Sequence, residues 1–293
     1  MATTRNTMKT ILFMGVLTAL LLLVGDVLGK RYFGGSANGM VFFLFIAVAI
    51  NFASYWWSDK IVLKVTRSRP VTEQEAPWFY KVVRELTQKS GMPMPRLYVM
   101  PASQPNAFAT GRDEHHAAVA VTEGILQVLN EEELAGVLAH ELSHVRNHDI
   151  LIGAVAATVA AGVMMIARVA MFGAIFGGGG RNDREGGGLG ALLSIILAPI
   201  AAVMIQMAVS RSREAQADAS GAHLLGDATP LANALIKIDA ASKRTPPLAV
   251  NPAVSHLFLQ SPFRGGQGVS KLFMSHPPLE ERLAQLRELG ARV

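Results

Sequence analysis

The chain has 293 residues, 51% of them hydrophobic and only 17% charged, with a mean hydropathy of +0.32. A polar surface cannot cover that much apolar side chain, which excludes an ordinary water-soluble domain and makes lipid the solvent for part of the molecule. The net charge of +5 requires no nucleic-acid partner, and the lack of cysteine leaves no disulfide framework and fits a reducing compartment.

Four stretches approach the roughly 20 apolar residues that a helix needs to cross a bilayer. Thr10 to Leu28 is the first, with Asp26 near its end, and Gly39 to Trp57 is the second, closing on Tyr55-Trp56-Trp57 as an interfacial belt. The chain then leaves the first unit, a membrane anchor of residues 1–69. Thr72 and Glu75 read as a capping box for an amphipathic helix that Gly91 and Pro93 end. PRLYVMP, NAFATG and AAVAVTEG follow as three short strands of a small sheet.

Asn130 and three glutamates start the next helix with acid at its positive end, and Leu134, Val137, Leu138 and Leu142 give it a buried stripe. That helix carries AHELSH and closes a second unit, residues 70–149. Residues 150–209 form a third unit, a transmembrane hairpin: Ile150 to about Phe176, the glycine-rich turn 177–188, then Gly190 to Val209. The fourth unit, residues 210–293, holds a polar helix stopped by Gly226, a helix opened by Thr229-Pro230, a Pro-, Gly- and Ser-rich loop over 244–270, and a closing amphipathic helix ended by Gly290.

His140 and His144 lie one helical turn apart, so both imidazoles project from one face and can share a tetrahedral zinc. Glu141, at the edge of that face, is placed to hold and deprotonate a water on the metal, the chemistry of peptide hydrolysis. A histidine six residues after His144 would mark another class of zinc protease, but position 150 is isoleucine. A third ligand must come from elsewhere. Glu214 is the candidate, because two crossings by the hairpin return it to the side that carries His140; the alternative is a surface ion pair with Arg211. Asp218, one turn further, is placed to orient a ligand histidine.

With the N-terminus inside, nine lysines and arginines flank inner helix ends against four outside, which puts both termini and the site in the cytoplasm. The expected fold is thus four transmembrane helices carrying a cytoplasmic α+β zincin-like domain with a small β-sheet.

PNAFATG, VAVTEGIL, HELSH, SRSREAQAD, NPAVSHLF and SHPPLEERL, in this order behind two leading spans, resemble the HtpX-type bacterial membrane zinc metalloproteases, of the same clan as the CAAX prenyl proteases. The resemblance implies an inner-membrane endopeptidase with one Zn2+ per chain that cleaves unfolded or damaged membrane proteins at the cytoplasmic face. It implies Glu214 as third ligand. It also implies an edge strand at Asn106, Ala107, Phe108 and Ala109 to which a substrate backbone adds, and His276 and Arg282 as donors to the tetrahedral oxyanion. For these last two, a helix-start residue and a salt-bridge former are the plainer alternatives. A non-catalytic zinc-stabilised scaffold or chaperone is the competing function. A transporter, suggested by Asp26 and Arg168, is disfavoured because the polar residues cluster outside the spans. The oligomeric state is not legible.

Overall fold

The computed structural model describes residues 2–147, 149–160, 163, 211–246, 254, 257–259 and 277–290. In chain order they form α1 (Ala2–Tyr32), α2 (Ser36–Trp56), α3 (Ser58–Val65), β1 (Arg69–Pro70), α4 (Pro77–Ser90), β2 (Arg96–Met100), β3 (Ala107–Thr110), a 3₁₀ turn (Glu114–His116), β4 (Ala118–Thr122), α5 (Glu123–Val128) and α6 (Glu131–Arg146). Then come α7 (Ile150–Ala160), α8 (Arg211–Leu225), α9 (Thr229–Ser242) and α10 (Leu279–Gly290).

α1 and α2 form an antiparallel hairpin whose closeness follows from glycine. A Cβ on Gly39 would lie 2.1 Å from the Gly25 carbonyl oxygen and 2.4 Å from the Gly29 Cα, so only bare backbones fit at this crossing. Asp26 near the turn is bound by Ser36 and Lys30, which accounts for an acid at the end of an apolar helix. Met8–Lys30 and Ser36–Trp56 are long and apolar enough to cross a membrane. Their outer faces expose Ile11, Leu23, Phe45, Val48 and Phe52, a belt that water would penalise. α7 packs along this hairpin: Ile152, Val155, Ala156 and Val159 join Phe13, Leu17, Leu21 and Ala47 in one apolar cluster. The rest of the third expected span, with Arg168, and the whole of the fourth lie outside the described residues.

The sheet has the order β1-β2-β4-β3, with β2 and β4 parallel and both outer strands antiparallel to their neighbours. Alternation along the strands serves two cores. Leu97, Val99, Val119, Val121, Ala107 and Ala109 pack with α4 and α6, while Met100, Phe108, Ala118 and Ala120 meet Val62 and Leu63 of α3 and Ala157 of α7. Burial on both faces explains why β3 and β4 carry small apolar residues at nearly every position.

One expected helix start moves, and one expected cap. Glu75 does accept from the Thr72 amide (2.8 Å) and hydroxyl (3.0 Å), but this closes a turn ahead of α4, which begins at Pro77 where proline's fixed φ suits a first helical turn. At α9 the cap is not Thr229: its amide donates to Asp227 (2.8 Å).

Candidate metal centre

α6 is built as its sequence dictates. Asn130 and Glu133 exchange a capping box, Glu133 N–H to Asn130 Oδ1 at 2.8 Å and Asn130 N–H to Glu133 Oε2 at 3.0 Å, and Leu134, Val137, Leu138 and Leu142 are buried. The helix thereby drives His140 and Glu141 into the interior, His140 with no exposed surface and Glu141 with 4%. α8 crosses α6 at Gly221, where a Cβ would sit 3.0 Å from the His140 backbone nitrogen. This contact delivers Glu214 and Asp218, both buried, to the histidine face.

The donor atoms of His140, His144 and Glu214 all lie within 4.8 Å of one another. The two Nε2 atoms are 3.2 Å apart, His144 Nε2 is 3.6 Å from Glu214 Oε1, and His140 Nε2 is 3.7 Å from Glu214 Oε2. Bonds of about 2.0–2.1 Å in a tetrahedron give edges of roughly 3.3–3.5 Å, so this donor set suits a zinc-sized cation.

Each imidazole is held from behind. His140 Nδ1 lies 2.7 Å from Asp218 Oδ1, and His144 Nδ1 lies 3.3 Å from Asp149 Oδ2. A proton on each Nδ1 satisfies these carboxylates and leaves both Nε2 lone pairs turned towards Glu214. Burial lowers the His140 pKa in spite of Asp218, favouring the neutral ring. Burial also opposes charge on His144, but the carboxylates of Glu214, Asp149 and Glu141 outweigh it and push its pKa up to about 9. A proton and a cation thus compete for the same acidic pocket.

Arg282 forms the salt bridge that was the plainer of its two expected roles. Its guanidinium forks onto Asp218, Nε to Oδ2 at 3.0 Å and Nη2 to Oδ1 at 2.6 Å, and its Nη2 lies 3.4 Å from His140 Nδ1. The carboxyl of Asp218 would be raised by burial, but Arg282 and His140 hold it well below the usual range. With two nitrogens on Asp218, Arg282 braces the carboxylate behind the imidazole. His276 lies outside the described residues.

β3 is an edge strand, and it packs against α6. Thr122 N–H donates to the Asn106 carbonyl (2.9 Å), so by antiparallel alternation Asn106 and Phe108 face β4 and the backbones of Ala107 and Ala109 turn outward. Of the four expected substrate contacts only these two present outward backbone. Asn106 Oδ1 accepts from the Ala107 amide (3.1 Å), Phe108 packs edge-on to Phe258 (5.3 Å), and the Ala107 carbonyl accepts from Leu259 N–H (3.1 Å). Sequence reasoning missed Asp149 and its neighbour Arg213 (3.8 Å); the available signal was an acid and a base flanking an apolar excursion at its two ends.

The peptidase family M48 model matches residues 73–290, most of the chain and all the site residues above. The chain belongs to peptidase family M48. It is therefore a metalloprotease, a hydrolase of peptide bonds. Among M48 relatives, the Protease HtpX homolog of Desulfatibacillum aliphaticivorans is 51% identical over 289 residues, covering 98% of this chain and 90% of that one. The homolog of Pelotomaculum thermopropionicum is 50% identical over 287 residues (97% and 99%), and that of Thermococcus kodakarensis 48% over 284 (97% and 96%). A crystal structure of S. mikatae Ste24p aligns with a TM-score of 0.49 at 20% identity, over 97% of this chain and 66% of that one, too distant a likeness to argue from.

Proposed function

We propose that this M48 protease is a membrane-anchored zinc endopeptidase that cleaves unfolded or damaged membrane proteins at the cytoplasmic face of a bacterial inner membrane. The observation that carries the reading is the convergence of His140, His144 and Glu214, with a carboxylate behind each imidazole and Glu141 beside them. A Zn2+ held by those three side chains would supply Lewis acidity, polarising the scissile carbonyl and easing deprotonation of water.

The chain's own groups do the rest. Glu141, buried on the ligand helix, accepts the proton of the attacking water and returns it to the departing amine. Asp218 and Asp149 keep both rings in the tautomer that presents Nε2. An extended peptide aligns along β3 by pairing with the outward backbones of Ala107 and Ala109, which gives affinity without strict choice of side chains. At Ala107 it competes with Leu259 for the carbonyl and with the Asn106 side chain for the amide. α1 and α2 cross the bilayer, and α7, packed on them, enters it directly from the metal site. The excess of basic residues at the inner helix ends supports the cytoplasmic placement.

Glu141→Gln tests the assignment. The variant is expected to retain zinc and lose cleavage of an unfolded membrane-protein substrate by about 10²–10⁴-fold. Undiminished cleavage would remove the proposed base. Undiminished biological activity without cleavage would instead support a scaffold or chaperone stabilised by the same ligands.

A further inference from the structure

A cleft of about 440 Å3 opens where α2 ends, on the route by which the chain passes from the apolar hairpin to the sheet. Its walls include Trp56, Trp57, Lys60, Arg96 and Arg112. Nothing in the peptidase chemistry uses it.

Two of its cations are fixed in place. Arg112 lies over the Trp56 ring, 4.8 Å from the centroid, and donates to His116 Nε2 (2.6 Å). His116 in turn hydrogen-bonds Asp113 through Nδ1 (2.6 Å), so the chain Asp113–His116–Arg112 orients the guanidinium. Arg96 is braced by Asp59 at 2.6 Å. Lys60, exposed, makes no ion pair or hydrogen bond among the described residues. Three cations against the carboxylates of Asp59 and Asp113 leave one positive charge in excess, borne by the exposed Lys60. The paired tryptophans mark this level as the boundary between hydrocarbon and water.

We propose that the cleft receives the headgroup of a singly negative phospholipid, a phosphodiester without a neutralising amine, with Lys60 and Arg112 on the phosphate and Trp56 and Trp57 against the glycerol region. A zwitterionic headgroup would bring its ammonium into a cleft that is already cationic. The bound lipid would tie the protease domain to the membrane surface at the exit of α2. This inference rests on the reading of α1 and α2 as membrane-crossing.

The full-length protein carrying Trp78→Phe, so that the cleft tryptophans are the remaining indoles, is reconstituted into phosphatidylcholine vesicles. These are doped with either brominated phosphatidylglycerol or an equal content of brominated phosphatidylcholine. The expected result is stronger quenching by the brominated anionic lipid. Lys60→Gln, an exposed change that does not threaten folding, should weaken that preference about fivefold, the effect of one basic residue near a charged surface. Equal quenching by the two lipids, unaltered by Lys60→Gln, overturns the proposal while leaving the membrane-crossing reading intact. Absence of quenching by either lipid overturns both. Loss of the preference on adding inorganic phosphate, but not chloride at equal ionic strength, overturns the lipid assignment in favour of a soluble phosphate.

Discussion

His140 is gripped at both nitrogens' sides, by Asp218 at Nδ1 and by the ligand cluster at Nε2, and Arg282 forks onto the Asp218 carboxylate from behind. Asp218→Ala is expected to weaken zinc binding by roughly 10–100-fold, measured by competition with a chelating dye. An unchanged affinity would reduce Asp218 to a packing residue. Arg282→Gln separates two roles for the arginine. A positioning residue, once removed, leaves a buried carboxylate without its partner, so the thermal midpoint falls with a loss of about 3–5 kcal/mol and zinc affinity falls with it. An oxyanion donor would in addition lower kcat with zinc saturating, whereas a residue that only braces Asp218 would regain its kcat once zinc is restored. At this scale the sequence disclosed what a single helix can arrange: the spacing of His140, Glu141 and His144, and of Glu214 and Asp218 one turn apart. It did not disclose Asp149 as a support, and it left Arg282 between an oxyanion donor and a salt-bridge former. Their partners lie on other elements, and no periodicity records which distant side chain will turn inwards.

Helix crossings decide whether the ligands meet. The α6–α8 crossing depends on Gly221, because any side chain there would press on the backbone of His140 and Ala139. Gly221→Ala is expected to cost about 1 kcal/mol and Gly221→Val about 3 kcal/mol in thermal or denaturant unfolding, with a parallel loss of zinc affinity as α8 shifts. Gly15→Ala on α1, where a Cβ meets nothing within 4 Å, is the matched control and should be neutral. A Gly221→Val variant with native zinc affinity would show that the crossing tolerates separation. Most elements were legible because hydrophobic period and capping agree, as at Asn130 and at Gly91, whose φ of 69° ends α4. The short α3 and α5, and the two-residue β1, have too few residues for a period to register. The start of α4 moved because Pro77 sets the first turn, while Thr72 and Glu75 spend their polar groups just outside it; α9 opens at Thr229-Pro230, as its sequence reads.

Across the whole molecule, the apolar cluster of α1, α2 and α7 adjoins the two cores on either side of the sheet, and Ala157 of α7 already contributes to one of them. The ligands come from segments on both sides of residues 161–210, so a bound cation cross-links distant parts of the chain. Removing it with a chelator should lower the thermal midpoint of the detergent-solubilised protein, and zinc, not magnesium, should restore it. At free zinc about 100 times the Kd, the bound form gains about 2.7 kcal/mol over the stripped one. A midpoint indifferent to chelation would mean that the cluster contributes nothing to the fold. The two leading helices, long and apolar enough to cross a membrane, were legible from composition, since about twenty apolar residues in a row have few alternatives in water.

Asp149 stands between His144 and Arg213, touching the segment that leaves α6 and the one that enters α8. That carboxylate is a clasp closing the neck of a long loop. Because closing a stretch of chain costs only about 0.6 kcal/mol more for each doubling in its length, a single ion-paired carboxylate is enough to hold the two feet together whatever the number of residues between them. The spacing of the metal ligands is therefore set at the feet, by one acid between an imidazole and a guanidinium.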